Sequence, residues 1–129
     1  MDVLIRYGFS IEEIKNMMDT NPDISNVDDN KIYSLIDKLG LIGCMNNYIK
    51  NIFICNPFYL NRSLEDIDNL FNKLKEIGIT NINILLDSNP YILNLNSEEI
   101  EDIYNNLLKE GLTKEEIIDK FNYNSFSIM

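Results

Sequence analysis

Gly8-Phe9-Ser10-Ile11-Glu12-Glu13-Ile14-Lys15-Asn16-Met17-Met18-Asp19-Thr20-Asn21-Pro22 is the stretch that decides the fold, because its parts return along the chain. Asn-Pro occurs three times, at Asn21-Pro22, Asn56-Pro57 and Asn89-Pro90, at spacings of 35 and 33 residues, and no other proline is present. A glycine precedes each pair. Gly8 and Gly43 stand 13 positions before Asn21 and Asn56, and Gly78 stands 11 before Asn89. A last unit, Gly111-Leu112-Thr113-Lys114-Glu115-Glu116-Ile117, leads over the same 13 positions to Asn124-Ser125, where the proline is lost. Three full motifs and one degenerate terminal motif make an internal repeat about one helical hairpin long. Recurrence at 20–50 residues is the mark of stacked helical units.

Each part has a local reason. Glycine suits the position just past a helix end, where the backbone turns left-handed. Ser10 with Glu13, and Thr113 with Glu116, have the spacing of a capping box at a helix start. Acids in a first turn also suit the helix dipole. Proline forbids continuation of a helix and pushes the preceding residue out of the helical region. Asparagine tolerates that boundary and can bond to its own backbone.

The punctuation and the apolar spacing together predict helices over 2–7, 11–20, 28–39, 44–55, 64–77, 81–88, 97–110 and 114–122. Ile32, Leu35, Ile36 and Leu39 fall on one face. So do Ile67, Leu70, Phe71 and Leu74, and so do Ile100, Ile103, Tyr104, Leu107 and Leu108. Asn96 with Glu99 reads as a further start signal. The expected fold class is all-α, a solenoid-like array of about three and a half helical hairpins forming a single domain over 1–129.

Composition narrows the function. With 11 basic and 21 acidic residues the formal charge is −10, which opposes general affinity for nucleic acid or anionic membrane. The acids fall largely at helix starts and on expected solvent faces, where they cap and solubilise. The most apolar stretch, 41–60, is broken by Asn46, Asn47, Lys50, Asn51 and Asn56, so no membrane span is expected. The N-terminus has no signal-peptide pattern. Cys44 and Cys55, 11 residues apart on one predicted helix, would be separated by about 16 Å, too far to bridge within it. They read as small core residues in a reducing, cytoplasmic compartment.

Chemistry is scarce. Histidine is absent, two cysteines do not make a zinc site, and the glycines form no phosphate loop. Asp28-Asp29-Asn30 lacks the pattern of a calcium loop and reads as a helix start. No catalytic, metal or cofactor-binding residue is expected, and neither is an enzyme. Seven tyrosines are spread through the units and suit the edge of a core. Tyr59 and Tyr91, just after Asn-Pro pairs, are the first candidates for an exposed interaction stripe.

The residues Gly8 to Pro22, Asn56 to Leu60, Asn89 to Leu93 and Gly111 to Phe121 resemble the repeat of the mitochondrial transcription termination factors, the mTERF family. That resemblance implies a curved, all-helical array of triangular helical units. It also implies nucleic-acid binding along a basic concave groove. Here the basic residues show no cluster beyond Lys73 and Lys75. The leading expectation is therefore a non-enzymatic module that binds a protein through a concave face. Nucleic-acid binding, and acidic mimicry of nucleic acid toward a basic partner, are the alternatives.

Overall fold

The computed structural model describes residues 2–123, and the degenerate motif beginning at Asn124 lies outside them. Among the described residues there are eight α-helices and three 3-10 helices, and no strand. The α-helices are α1 (Asp2–Tyr7), α2 (Ile11–Thr20), α3 (Asp29–Leu41), α4 (Asn46–Cys55), α5 (Leu64–Glu76), α6 (Ile82–Ser88), α7 (Ser97–Lys109) and α8 (Lys114–Tyr123). The 3-10 helices are η1 (Pro22–Asn26), η2 (Pro57–Asn61) and η3 (Pro90–Asn94). The chain divides into two compact units, Met1–Leu64 and Glu65–Met129.

The four repeat glycines share one geometry. Gly8, Gly43, Gly78 and Gly111 have φ of 114°, 98°, 107° and 95°, and no other described residue has positive φ. At each, the glycine N–H donates three residues back and the next N–H donates five back, as in Phe9 to Leu4 O and Leu112 to Leu107 O. This is the Schellman closure of a helix. At Gly78 a side chain would also collide, since a Cβ would lie 2.9 Å from Ile118 Cδ1. Gly40 differs: it lies inside α3, which therefore runs two residues past its expected end.

Capping boxes start the helices that the spacing marked. The Ser10 hydroxyl accepts from Glu13 N–H at 3.0 Å, and the Glu13 carboxylate accepts from Ser10 N–H at 2.8 Å. Asn96 with Glu99 and Thr113 with Glu116 repeat the arrangement. These bonds hold the Glu13 and Glu116 carboxyls below their ordinary value.

The Asn-Pro turns do more than stop a helix. Asn21, Asn56 and Asn89 take φ of −133°, −138° and −150°, and each N–H still donates to the helix before it. Each carbonyl then accepts from the third residue on, which opens a 3-10 helix with proline at its first position. Proline fits there because its missing N–H would be unsatisfied anyway. These 3-10 turns were not read from the sequence, where Asn-Pro appeared only as a terminator.

The asparagines are also buried, at 1%, 0% and 6% exposure. The sequence suggested that such a side chain bonds its own backbone. In the first unit Asn21 instead reaches the next repeat. Its Nδ2 donates to Pro57 O and to Asn61 Oδ1, both at 3.1 Å, and Asn61 Nδ2 returns a bond to Asn21 Oδ1 at 3.3 Å.

The core of the first unit is a chain of aromatic rings set among aliphatic side chains. Phe9 and Phe53 stack at 5.8 Å, and Phe53 meets Tyr59 edge-on at 5.5 Å. Leu4, Ile24, Ile32, Leu35 and Leu39 close around them at 0% exposure. In the second unit Ile67, Leu70, Leu74, Leu85, Leu93 and Phe121 are equally buried. The apolar face expected on α7 is only partly used: Ile100 is fully buried, Ile103, Tyr104 and Leu107 are half-buried, and Leu108 is exposed.

Candidate interaction groove

Turns after Asn-Pro sort their residues by position. The third residue after the asparagine is buried every time, as Ile24, Tyr59 and Ile92, while the second faces water as Asp23, Phe58 and Tyr91. Tyr59 therefore does not belong to an exposed stripe. It is fully buried, and its hydroxyl donates to Leu35 O at 2.8 Å. Tyr91, one place earlier in its turn, is 48% exposed. Counting from the asparagine separates the two. Grouping them by nearness to proline does not.

The other marked positions are structural. Gly8, Gly43, Gly78 and Gly111 close helices, and Asn21, Asn56 and Asn89 join each α-helix to its 3-10 turn. Pro22 is exposed, Pro57 buried and Pro90 half-buried. Asn124 lies outside the described residues.

A groove of about 440 Å³ opens in the first unit between α1, α3 and the start of α4. Tyr7, Tyr33, Ile36, Asp37, Gly40, Leu41, Cys44, Asn46 and Ile49 line it. α3 makes this wall because Ile32, Leu35, Ile36 and Leu39 face the core, which turns Tyr33, Asp37 and Leu41 outward. Tyr33 is 60% and Leu41 86% exposed, an unusual outlay of apolar surface for two residues on one stripe. Gly40 gives the floor no side chain, and a Cβ there would meet nothing within 4 Å. A glycine inside a helix costs roughly 0.5–1 kcal/mol relative to alanine. On the opposite wall Tyr7 is fixed by donating its hydroxyl to Asn46 Oδ1 at 2.9 Å. In the sequence Ile36 and Cys44 read as core residues, and nothing marked Tyr7, Tyr33, Asp37, Gly40 or Leu41 as lining a groove.

Cys44 sits at the inner edge of the groove, outside α4, and burial pushes its thiol up to about 11. Cys55, expected as a second core residue, is exposed at the end of α4. A thiol-specific disulfide reagent should therefore label Cys55 in the native chain, with Cys44 slower by at least about tenfold until urea unfolds it. Equal rates for both thiols in the folded protein would contradict this placement.

A second apolar groove of about 400 Å³ lies against α1 and α2, lined by Ile5, Ile11, Ile14, Lys15, Met18 and Asp19. Among the described residues no three His, Cys, Asp or Glu side chains gather to hold a metal. No helix there is long and apolar enough to cross a membrane.

Charge is unevenly shared. Residues 1–64 hold 8 acids and 6 bases, and residues 65–129 hold 13 acids and 5 bases. Lys50 and Lys73 are among the bases held by neighbours. Lys50 Nζ donates to Gly8 O at 3.0 Å and lies 3.5 Å from the Glu13 carboxylate. Lys73 lies 3.1 Å from Glu76 and 3.8 Å from Glu101, and the bond to Glu76 leads in holding its ammonium above the ordinary value.

A family model described as mTERF matches residues 1–122. No curated protein and no solved structure matches the chain.

Proposed function

Because the chain belongs to the mTERF family, whose members are helical-repeat binding proteins, we propose that it is a non-enzymatic module whose partner is another protein, seated in the α1/α3 groove. The single observation that carries this reading is an apolar, tyrosine-walled groove with one carboxylate on a chain of net charge −10. Interfaces are anchored by aromatic and apolar side chains in water-excluding pockets. Tyr33, Ile36 and Leu41 would take an apolar side chain, and Asp37 would take a lysine or arginine beside it. The reading moves the partner from the concave face expected of the array to this groove. A cytoplasmic location is part of the same proposal, since an exposed thiol such as Cys55 would stay reduced there.

Selection from a displayed random-peptide library tests it. Enriched peptides should carry an apolar residue next to Lys or Arg. They should bind Asp37→Lys at least about tenfold more weakly, a loss of about 1.4 kcal/mol. Peptides that bind Asp37→Lys and the parent equally would remove the groove from the account. The charge of residues 65–129 supports one second reading, acidic mimicry toward a basic partner. It requires the second unit alone to carry the binding.

A further inference from the structure

Lys50 shows how one repeat of this chain grips the repeat before it. Its ammonium holds Gly8 O and the Glu13 carboxylate and lies 5.6 Å from the centre of the Phe9 ring. Phe53, one turn along α4, stacks on the same ring. The 35-residue repeat maps Ile49, Lys50 and Phe53 onto Ile14, Lys15 and Met18. Those three residues line the second groove, with Ile5 and Ile11 at its rim, 52% and 78% exposed. The gripping face of α4 thus has a counterpart on α2, with methionine in place of phenylalanine, Ile14 buried at its base, and Lys15, Ile11 and Ile5 exposed around it.

We infer that this α2 face docks a second copy of the chain, which presents its Gly111–Glu116 motif to Lys15. The contact made by α4 states what the occupant must offer: a helix-closing glycine carbonyl, an apolar residue next to it, and a capping carboxylate. Gly8-Phe9 with Glu13 is one such set and is already held by Lys50. Gly111-Leu112 with Glu116 has the same closure and the same capping box, and Gly111 and Glu116 are exposed. The complementarity is local: Lys15 would meet the Glu116 carboxylate as Lys50 meets Glu13, although both units carry a net negative charge. A contact between two different surfaces leaves a free surface at each end of a pair, so copies add in sequence until a ring closes, if the rotation closes one.

Sedimentation velocity of the full chain, from about 10 µM to about 1 mM, tests this in the range of weak affinities. The mean mass should rise above 15.1 kDa as the concentration increases. Lys15→Glu and Glu116→Lys should each abolish the rise, and a mixture of the two should restore it, because each supplies the complement of the other's altered charge. Ile11→Asp should abolish it too. It keeps the fold, because Ile11 is exposed in the first turn of α2, where an acid suits the helix dipole. Unchanged helical circular dichroism confirms folding in every variant. A mass of 15.1 kDa throughout, or association indifferent to Lys15→Glu and Ile11→Asp, would overturn the inference.

Discussion

Phe53→Ala should cost about 3–5 kcal/mol of stability, the range for deleting a buried aromatic ring. Phe53 has no exposed surface, and its ring touches Phe9 on one side and Tyr59 on the other. Removing it leaves a cavity between two aromatic rings that cannot both close in, since the Tyr59 hydroxyl is held on Leu35 O. Domains of this size have only about 5–15 kcal/mol to lose, so the variant should unfold at a much lower urea concentration. Phe58→Ala is the control. Phe58 sits in the neighbouring turn, 44% exposed, and its loss should stay below about 1 kcal/mol. Equal urea midpoints for the two variants would show that the inside and outside of the turn have been exchanged.

Asn21→Ala should cost about 1–3 kcal/mol, although it deletes only a small polar group. The side chain is buried and ties α2 to the second 3-10 turn through Pro57 O and Asn61. Alanine would leave the buried Pro57 O without its bond, and that is where most of the cost arises, since exposed Asn61 can turn to water. Pro22→Ala, at the adjacent exposed position, should change stability by no more than about 1 kcal/mol, acting mainly on the unfolded chain. Urea midpoints measured side by side separate the two roles. If Pro22→Ala proved the more damaging, the dipeptide would act through backbone stiffness rather than through a bond between repeats.

That contrast shows what was legible in the sequence. Helix ends were, because their chemistry is local. Gly8, Gly43, Gly78 and Gly111 all take the left-handed backbone that only glycine adopts cheaply, and the Ser10, Asn96 and Thr113 boxes need only residues three apart. What depends on neighbours distant in sequence was not legible. The asparagine side chain could bond locally or across a repeat, and only packing chose the second for Asn21. Tyr59 and Tyr91 look alike beside their prolines, but a one-residue shift in register sends one ring inward and the other to water. Cys55 ends its helix on the solvent side although its residue type favours burial. The groove itself arises from Gly40 and Leu41, where α3 outruns its expected end and carries apolar surface past the core.

The most direct test of a protein-binding rather than nucleic-acid-binding role is fluorescence anisotropy of labelled single- and double-stranded DNA and RNA pools with the full chain. It should be run at about 50 mM and about 200 mM salt, where phosphate contacts reveal themselves by a steep loss of affinity. With a net charge of −10, and with Lys50 and Lys73 held by acidic neighbours, no binding should appear even at the lower salt. Binding at about 50 mM that falls steeply by about 200 mM would mean that the basic residues converge on one face, and would contradict the assignment of a protein partner.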